Sequence, residues 1–383
     1  MKAQKSPIQK KPILKSRRQV LKTLAAGCAL PLLPACDFFT PQPKQYWLSA
    51  AGGKKQNYGL AWSSPSTIGK NLNTPFRGHG LTQHVNNPHQ AIMVSRRPGN
   101  EALVLDVKKQ NPIAHFKSPE HLFMEGHACF NHDANLLYCS ESNKHNTKGI
   151  ITVRETQGYD VIQELDSGGA GPHEILLHPT QKNTLVIANG GLIKNESGNV
   201  INGETMKSNI SLLDLKTGQI KQQFFSDTTK ASLRHIDISD DGIIAVAMQV
   251  QREFMNHQKT TPLTALIKGD AFIPLIAPKE LLVKMKDYVG SVRISNKHRT
   301  AAFTSPRGDL ALFWNIDSGK FLGQHYFHNV CGLTVSLDDK YFVLSNSTGK
   351  IRHIQCDTLI EQRDLRQHHP QIQWDNHMLT LAG

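Results

Sequence analysis

From residue 46 onward the sequence repeats one pattern of strands at intervals of about 50 residues. Each repeat contains a strand, a tight turn rich in Asp or Asn, a second strand, a loop and a third strand. Six first strands are recognised, and they begin at His79, His127, His173, His235, Ser291 and Gly332. Repeats of this length with several short strands are typical of β-propellers, in which each repeat forms one blade.

The later strands of the repeats support the same interpretation. Second strands are predicted over residues 91–95, 136–140, 184–189, 243–249, 300–305 and 341–346. Third strands are predicted over residues 102–107, 150–154, 210–215, 310–316 and 351–356.

A seventh repeat can be assembled from the two ends of the chain. The segment that contains His377 has the pattern of a first strand, and residues 46–51 and 58–63 supply two further strands. Pairing strands from both ends closes the ring and leaves no open sheet edge. We therefore predict an all-β fold, in which residues 46–383 form a single seven-bladed propeller. A pair of β-sandwiches and an open β-solenoid are the alternatives.

Residues 1–35 have the features of an export signal. Only positive charges precede the apolar run over residues 20–34, which is too short for a stop-transfer helix. Arg17 and Arg18, followed by Val-Leu-Lys, match the twin-arginine pattern, with an ordinary Sec signal as the alternative. The motif Leu-Pro-Ala-Cys resembles a lipobox that would make Cys36 the lipidated N-terminus. A soluble protein cleaved near Ala35 is the other interpretation.

These features predict the compartment and exclude one class of partner. We expect a periplasmic protein held at the inner membrane by acyl chains on Cys36, with residues 36–45 as a linker. Cleavage removes eight Lys or Arg and no acid, so the net charge falls from +13 to about +5. Much of the basic charge thus belongs to the signal, and we expect no nucleic-acid partner.

The remaining cysteines do not form a recognised motif. No CxxC or CxxCH sequence occurs, which argues against c-type haem attachment and thioredoxin-like chemistry. Cys129 and Cys139 lie on two predicted strands joined by a short turn. They could form a disulfide in an oxidising compartment, and buried free thiols are the alternative.

Alignment of the repeats on their first strands places five histidines in one column: His79, His127, His173, His235 and His377. Because the first strand of each blade lines the channel of a propeller, we expect these side chains to gather near one mouth. Neutral imidazole is the commonest metal ligand, and clustered histidines suit Fe, Cu or Zn. Glu141 and Glu174 complete the predicted ligand set. A structural role in hydrogen bonds between blades is the alternative.

A second column lies where the second strands end, at the same predicted mouth. It contains Arg96, Arg97, Asn189, Gln249 and Arg307, which we predict to bind a ligand. The arginines could hold a carboxylate or phosphate through paired hydrogen bonds. Salt bridges between neighbouring blades are an equally valid interpretation of the same arginines.

Several short motifs resemble an uncharacterised exported bacterial family, domain of unknown function 1513. They are SRRPG at 95–99, GPHEILL at 171–177, VIANGG at 186–191, LRHI at 233–236, YVGSV at 288–292, TSPRG at 304–308 and VCGL at 330–333. The resemblance covers nearly all of residues 45–383 and implies a propeller-like fold. Members are often encoded beside imelysin-type and di-haem-type proteins of periplasmic iron acquisition, which implies partners from that pathway.

No motif decides whether the protein is an enzyme, because GxSxG, Walker A and HExxH sequences do not occur. We expect a propeller that binds a transition metal, a metal complex or a partner protein as an accessory to iron acquisition. A lactonase-like hydrolase that uses a metal at the channel mouth is one alternative. A metal-free docking scaffold is the other.

The export signal makes the first testable prediction. Cys36→Ala removes the acylation site, so the variant should move from the membrane to the soluble fraction and lose acyl labelling. Arg17→Lys with Arg18→Lys should stop export without changing the fold. Membrane association of the Cys36→Ala protein would contradict the lipid anchor, and normal export of the paired lysine variant would indicate a Sec signal.

Overall fold

A computed structural model describes residues 44–52, 58–195, 197–255 and 259–382. The predicted signal residues Arg17 and Arg18 and the lipidation site Cys36 lie outside these ranges and stay predictions. Within the described residues, no helix combines the length and the apolar character needed to cross a membrane.

The described chain forms seven antiparallel sheets of four strands each, which confirms the predicted seven-bladed propeller. The described part of the chain begins with three strands of blade 7: β1 (Gln45–Gly52), β2 (Tyr58–Ser64) and β3 (Thr67–Asn73). Blade 1 contains β4 (Gly78–His84), β5 (Asn87–Ser95), β6 (Glu101–Asp106) and β7 (Asn111–Lys117). Blade 2 contains β8 (Leu122–Phe130), β9 (Leu136–Asn143), β10 (Gly149–Glu155) and β11 (Val161–Asp166).

Blades 3 to 6 follow in chain order. Blade 3 contains β12 (Pro172–Leu177), β13 (Thr184–Asn189), β14 (Asn209–Asp214) and β15 (Ile220–Phe224). Blade 4 contains β16 (Ala231–Ile238), β17 (Ile244–Val250), β18 (Thr264–Lys268) and β19 (Ala271–Pro274), and the short helix α1 (Lys279–Lys284) follows it. Blade 5 contains β20 (Ser291–Ser295), β21 (Thr300–Ser305), β22 (Leu310–Asn315) and β23 (Phe321–Tyr326). Blade 6 contains β24 (Val330–Val335), β25 (Tyr341–Asn346), β26 (Lys350–Gln355) and β27 (Gln367–His368).

The last strand, β28 (Trp374–Ala382), is the innermost strand of blade 7 and pairs with β1. The antiparallel register places Leu48 opposite Leu379, so strands from the two ends of the described domain share one hydrogen-bonded ladder. Trp47 and Trp374 pack in one buried cluster with side chains of blade 6. Closure therefore joins the ends through backbone hydrogen bonds and through burial of large apolar side chains.

The innermost strands are irregular where they approach the axis. In six of the seven blades the pairing between the innermost strand and its neighbour shifts register, and only blade 5 pairs regularly. The shift in blade 3 lies between Pro172 and Ile175, and the shift in blade 1 lies between Gly78 and Leu81. A β-bulge of this kind redirects side chains that regular alternation would send to the opposite face of the sheet.

The four cysteines within the described residues form no disulfide. Cys129, Cys139, Cys331 and Cys356 are all buried free thiols, as in the alternative given for Cys129 and Cys139.

Closure makes the second testable prediction. Deletion of residues 374–383 removes β28 and exposes the edges of β1 and of the neighbouring blades, so cooperative unfolding should be lost. Deletion of residues 382–383 alone keeps most of the ladder and is the matched control. Thermal unfolding followed by circular dichroism makes the comparison. An unchanged melting temperature after the longer deletion would contradict the closure.

Candidate metal centre and mouth pocket

The five histidines of the predicted column meet in the channel. His79, His127, His173, His235 and His377 lie on the innermost strands of blades 1, 2, 3, 4 and 7, and each is at most 5% exposed. Ring centroids of contacting pairs are 4.5 to 6.1 Å apart. The structure therefore brings the five predicted histidines together, with their rings in direct contact.

Two glycines make room for this packing. A Cβ atom at Gly80 would lie 2.4 Å from the Gly126 carbonyl oxygen and 2.7 Å from His127 Nδ1. Gly126 has a φ of +116°, and a Cβ atom there would lie 2.6 Å from His79 Cδ2. Only glycine combines this backbone conformation with so close an approach, which lets the strands of blades 1 and 2 bring their histidines together.

Hydrogen bonds fix the tautomers of two histidines. His173 Nδ1 lies 3.0 Å from the Glu125 carbonyl oxygen, which can only accept, so this nitrogen carries the proton. His173 Nε2 is then an acceptor, and it lies 3.2 Å from His79 Nε2, which must donate. This assignment leaves His79 Nδ1 unprotonated, and that nitrogen is buried without a hydrogen-bond partner.

Glu174 orients the histidines on the other side of the cluster. Its Oε2 lies 3.2 Å from His235 Nδ1 and accepts a hydrogen bond from the Ile236 backbone N–H. Its Oε1 lies 3.9 Å from His127 Nδ1 and 3.8 Å from the Arg293 guanidinium. A carboxylate that accepts a hydrogen bond from Nδ1–H of a histidine fixes the tautomer in which Nε2 is unprotonated. The lone pair of Nε2 then lies on the side of the ring opposite to the carboxylate.

Three histidine nitrogens in the cluster have no hydrogen-bond partner although they are buried: His79 Nδ1, His127 Nε2 and His377 Nε2. One nitrogen from each of these three residues lies within 4.8 Å of the others. His79 with His173 and His235 forms a second such group, and His127 with Glu174 and His235 forms a third. Because buried polar atoms in native proteins are nearly always paired, these nitrogens point to a missing partner.

Burial keeps the five imidazoles neutral. It lowers the pKa of His127 from 6.5 to about 3, with neighbouring histidines and arginines adding to the effect against the opposing charge of Glu174. It also lowers the pKa of His79, His173, His235 and His377 well below 6.5. Neutral imidazole is the form that binds metals, so no proton has to leave these rings at neutral pH.

Two predicted site residues lie elsewhere. Glu141 is fully buried within blade 2 and accepts hydrogen bonds from Arg154 at 2.7 Å and Thr152 at 2.8 Å. Asn189 donates to the Ser167 carbonyl and to Asn209, both at 2.9 Å. Both residues satisfy local hydrogen bonds away from the histidine cluster, so the structure does not bring them to the predicted ligand.

The other predicted residues line a mouth pocket directly beside the histidines. This pocket has a volume of about 210 Å³, and its walls come from His79, Arg96, Arg97, His173, Lys194, Arg234, Gln249, Tyr288 and Arg307. The sequence interpretation missed Arg234, Lys194 and Tyr288. Arg234 directly precedes His235 in the shifted part of β16, and regular strand alternation would have directed it away from the channel.

Comparisons with known proteins agree with the fold and assign no activity. The sequence profile of a family described as proteins of unknown function, DUF1513, matches residues 72–381. No curated protein matches the chain. Among solved structures, hydrazine synthase of Kuenenia stuttgartiensis superposes with a TM-score of 0.57 and 12% identity, over 78% of this chain and 89% of that chain. At this identity the similarity shows a common fold only.

The neutral cluster makes the third testable prediction. Below about pH 6.5 a histidine of the cluster is protonated in the unfolded protein but stays neutral in the folded protein. The free energy of unfolding should therefore fall as the pH falls. Each such histidine contributes about 1.4 kcal/mol in total between pH 7.5 and 5.5, and its slope approaches about 1.4 kcal/mol per pH unit only well below pH 6.5. Burial raises the pKa of Asp237 to about 6, which acts in the opposite direction, but one carboxyl opposes five histidines.

Urea unfolding of metal-free protein between about pH 7.5 and 5.5 measures this slope. His377→Gln should reduce the total change in unfolding free energy across this range by about 1.4 kcal/mol. Equal unfolding free energies at the two ends of this range would show that the histidines are not held neutral.

Proposed function

The chain belongs to the DUF1513 family, and from the geometry of its channel we propose that it binds a transition-metal ion. His79, His127 and His377 supply the ligand nitrogens. The observation that carries this proposal is that each of them has a buried nitrogen without a hydrogen-bond partner. One ion could contact all three residues, because one ring nitrogen of each lies within 4.8 Å of the others.

The surrounding contacts support ligation over simple packing. His173 holds His79 in the tautomer whose Nδ1 is unprotonated, and Glu174 lies beside Nδ1 of His127 and His235. Carboxylates and backbone carbonyls at the second nitrogen of a histidine are the usual outer contacts of metal sites. Imidazole ligands suit Zn, Cu, Fe and Ni, and three of them leave a coordination position for a ligand from solution.

We further propose where in the cell, and in which pathway, the protein binds its metal. The twin-arginine motif and Cys36 support a periplasmic protein at the inner membrane, and the family resemblance supports an accessory role in iron acquisition. The bound species is then an iron or copper ion, or a metal complex, that the propeller passes to or receives from a partner protein of that pathway. This role uses the protein as a carrier and requires no turnover.

Metal titration makes the fourth testable prediction. Protein stripped with EDTA should bind Cu²⁺, Zn²⁺ and, without oxygen, Fe²⁺, with Cu²⁺ tightest and dissociation constants of about 1 μM or below. His79→Gln with His377→Gln removes two ligands and should weaken binding by more than about 100-fold. Glu174→Gln removes an orienting contact and should weaken binding by about 10- to 100-fold. Calorimetry measures all three proteins.

The matched control is His353→Gln. His353 is also a buried histidine with an unpartnered Nδ1, but it lies on β26 beside Trp47, outside the channel cluster. Its substitution should leave metal affinity unchanged. Absence of metal binding by the wild-type protein, or equal binding by the paired histidine variant, would make the cluster structural and favour the docking scaffold.

A further inference from the structure

The mouth pocket beside the histidines concentrates positive charge. Five cationic side chains line it: Arg96, Arg97, Lys194, Arg234 and Arg307. Arg97 contacts Glu125 at 3.1 Å, and Arg96 lies 3.7 Å from Asp375, which already holds Arg77 at 2.7 Å. The pocket therefore has an excess of positive charge over the acidic groups that face it.

Three of the five cations have no carboxylate partner within the described part of the chain. Arg234 donates to the Gln249 side-chain oxygen, which is neutral. Arg307 stacks on the Tyr288 ring with its guanidinium carbon 4.9 Å from the ring centre. Lys194 lines the same pocket. Uncompensated cations this close together repel one another unless an anion lies between them.

Several donors of these side chains are also unpaired. Arg97 Nε and Nη2, Arg234 Nε and Arg96 Nη1 are buried without a hydrogen-bond partner. The Arg97 side chain is only 4% exposed, so water satisfies these donors poorly. Buried guanidinium donors without acceptors are costly, and a planar or tetrahedral oxyanion offers acceptors with the geometry that they require.

The protonation behaviour of Lys194 agrees with this picture. Burial, and then the charges of Arg97, Arg234 and Arg96, lower its pKa from 10.5 to about 8. The cations thus destabilise one another, and a bound anion would relieve this repulsion.

We propose that the mouth pocket binds a small oxyanion with two or more negative charges, of the polycarboxylate or phosphate class. Arg97 and Arg234 donate to it from the wall, and Arg307 and Lys194 contribute charge from the rim. Because His79 and His173 also line the pocket, the same anion lies next to the proposed metal and supplies its exogenous ligand. This last step rests on the proposed metal site, whereas anion binding itself does not.

The fifth testable prediction concerns binding of anions to metal-free protein. Citrate, succinate and inorganic phosphate are titrated by calorimetry, with acetate as the monovalent reference. At least one multivalent anion should bind more than about tenfold tighter than acetate. Tight succinate and citrate binding identifies a carboxylate ligand, and tight phosphate binding alone identifies a phosphoryl ligand.

Substitutions locate the site. Arg234→Gln with Arg307→Gln should weaken binding of the preferred anion by about 10- to 100-fold. Arg307→Gln alone, at an exposed residue, should give a smaller loss and keeps the test valid if the paired variant does not fold. Arg363→Gln is the matched control, because it removes one exposed charge from the turn Arg363–Leu365 outside the pocket. Multivalent anions that bind no tighter than acetate, or unchanged binding by the Arg234 and Arg307 variants, would overturn the proposal.

A second arm separates the anion site from the metal site. Protein loaded with Zn²⁺ should bind succinate more tightly than metal-free protein, and succinate should tighten Zn²⁺ binding by the same factor. His79→Gln with His377→Gln should keep anion binding and lose this coupling. Anion binding without any Zn²⁺ binding supports the anion site and overturns the metal site. Zn²⁺ binding without anion binding supports the metal site and overturns the anion site.

Discussion

Seven innermost strands converge on one axis, and every side chain at that axis must fit between them. The register shifts and the glycines at Gly80 and Gly126 are the local responses to this crowding. They let large imidazole rings occupy space that a regular strand would leave to small residues. On the other side of the ring, Ser291 and Gly332 occupy the same column, and Ser291 Oγ lies 2.7 Å from the Asn376 carbonyl oxygen. Small residues on one side of the channel thus accompany the large imidazole rings on the other side.

The charge state of the channel histidines follows from their burial away from water. Five imidazoles with so little access to water stay neutral, and neutral rings can pack without the repulsion that protonated rings would have. The same burial leaves three of their nitrogens without a hydrogen-bond partner, and these nitrogens lie together in one cluster, unlike that of His353. Glu174 and Arg293 form a charge pair at the cluster, and His79 and His173 are shared between the cluster and the arginine pocket. The neutral rings are therefore in contact with both charged groups.

Much of the fold and part of the site could be predicted from the sequence. The repeat of strands predicted the seven blades. Three second strands have the predicted bounds: Thr184–Asn189, Thr300–Ser305 and Tyr341–Asn346. The outermost strands were missed because they are exposed to solvent. Six of the seven residues of Asn111–Lys117 are exposed and only Phe116 is buried, so burial imposes no apolar pattern on this strand. Arg234 was missed because β-bulges leave no signal in a pattern of alternating residues. Glu141 was assigned to the site from its place in the repeat, which does not reveal that its side chain turns toward Arg154.

Ring closure has a further consequence for the order in which the protein is made. His377 lies on the last strand, and that strand completes blade 7 with segments made at the start of the domain. A chain that is still being synthesised has four of the five histidines and lacks the strand that fixes their enclosure. The complete cluster therefore exists only after β28 has been made and has paired with β1, and a chain without β28 has neither a closed ring nor a full set of histidines. Loss of the C-terminal strand thus removes the site and the stability of the domain in a single event.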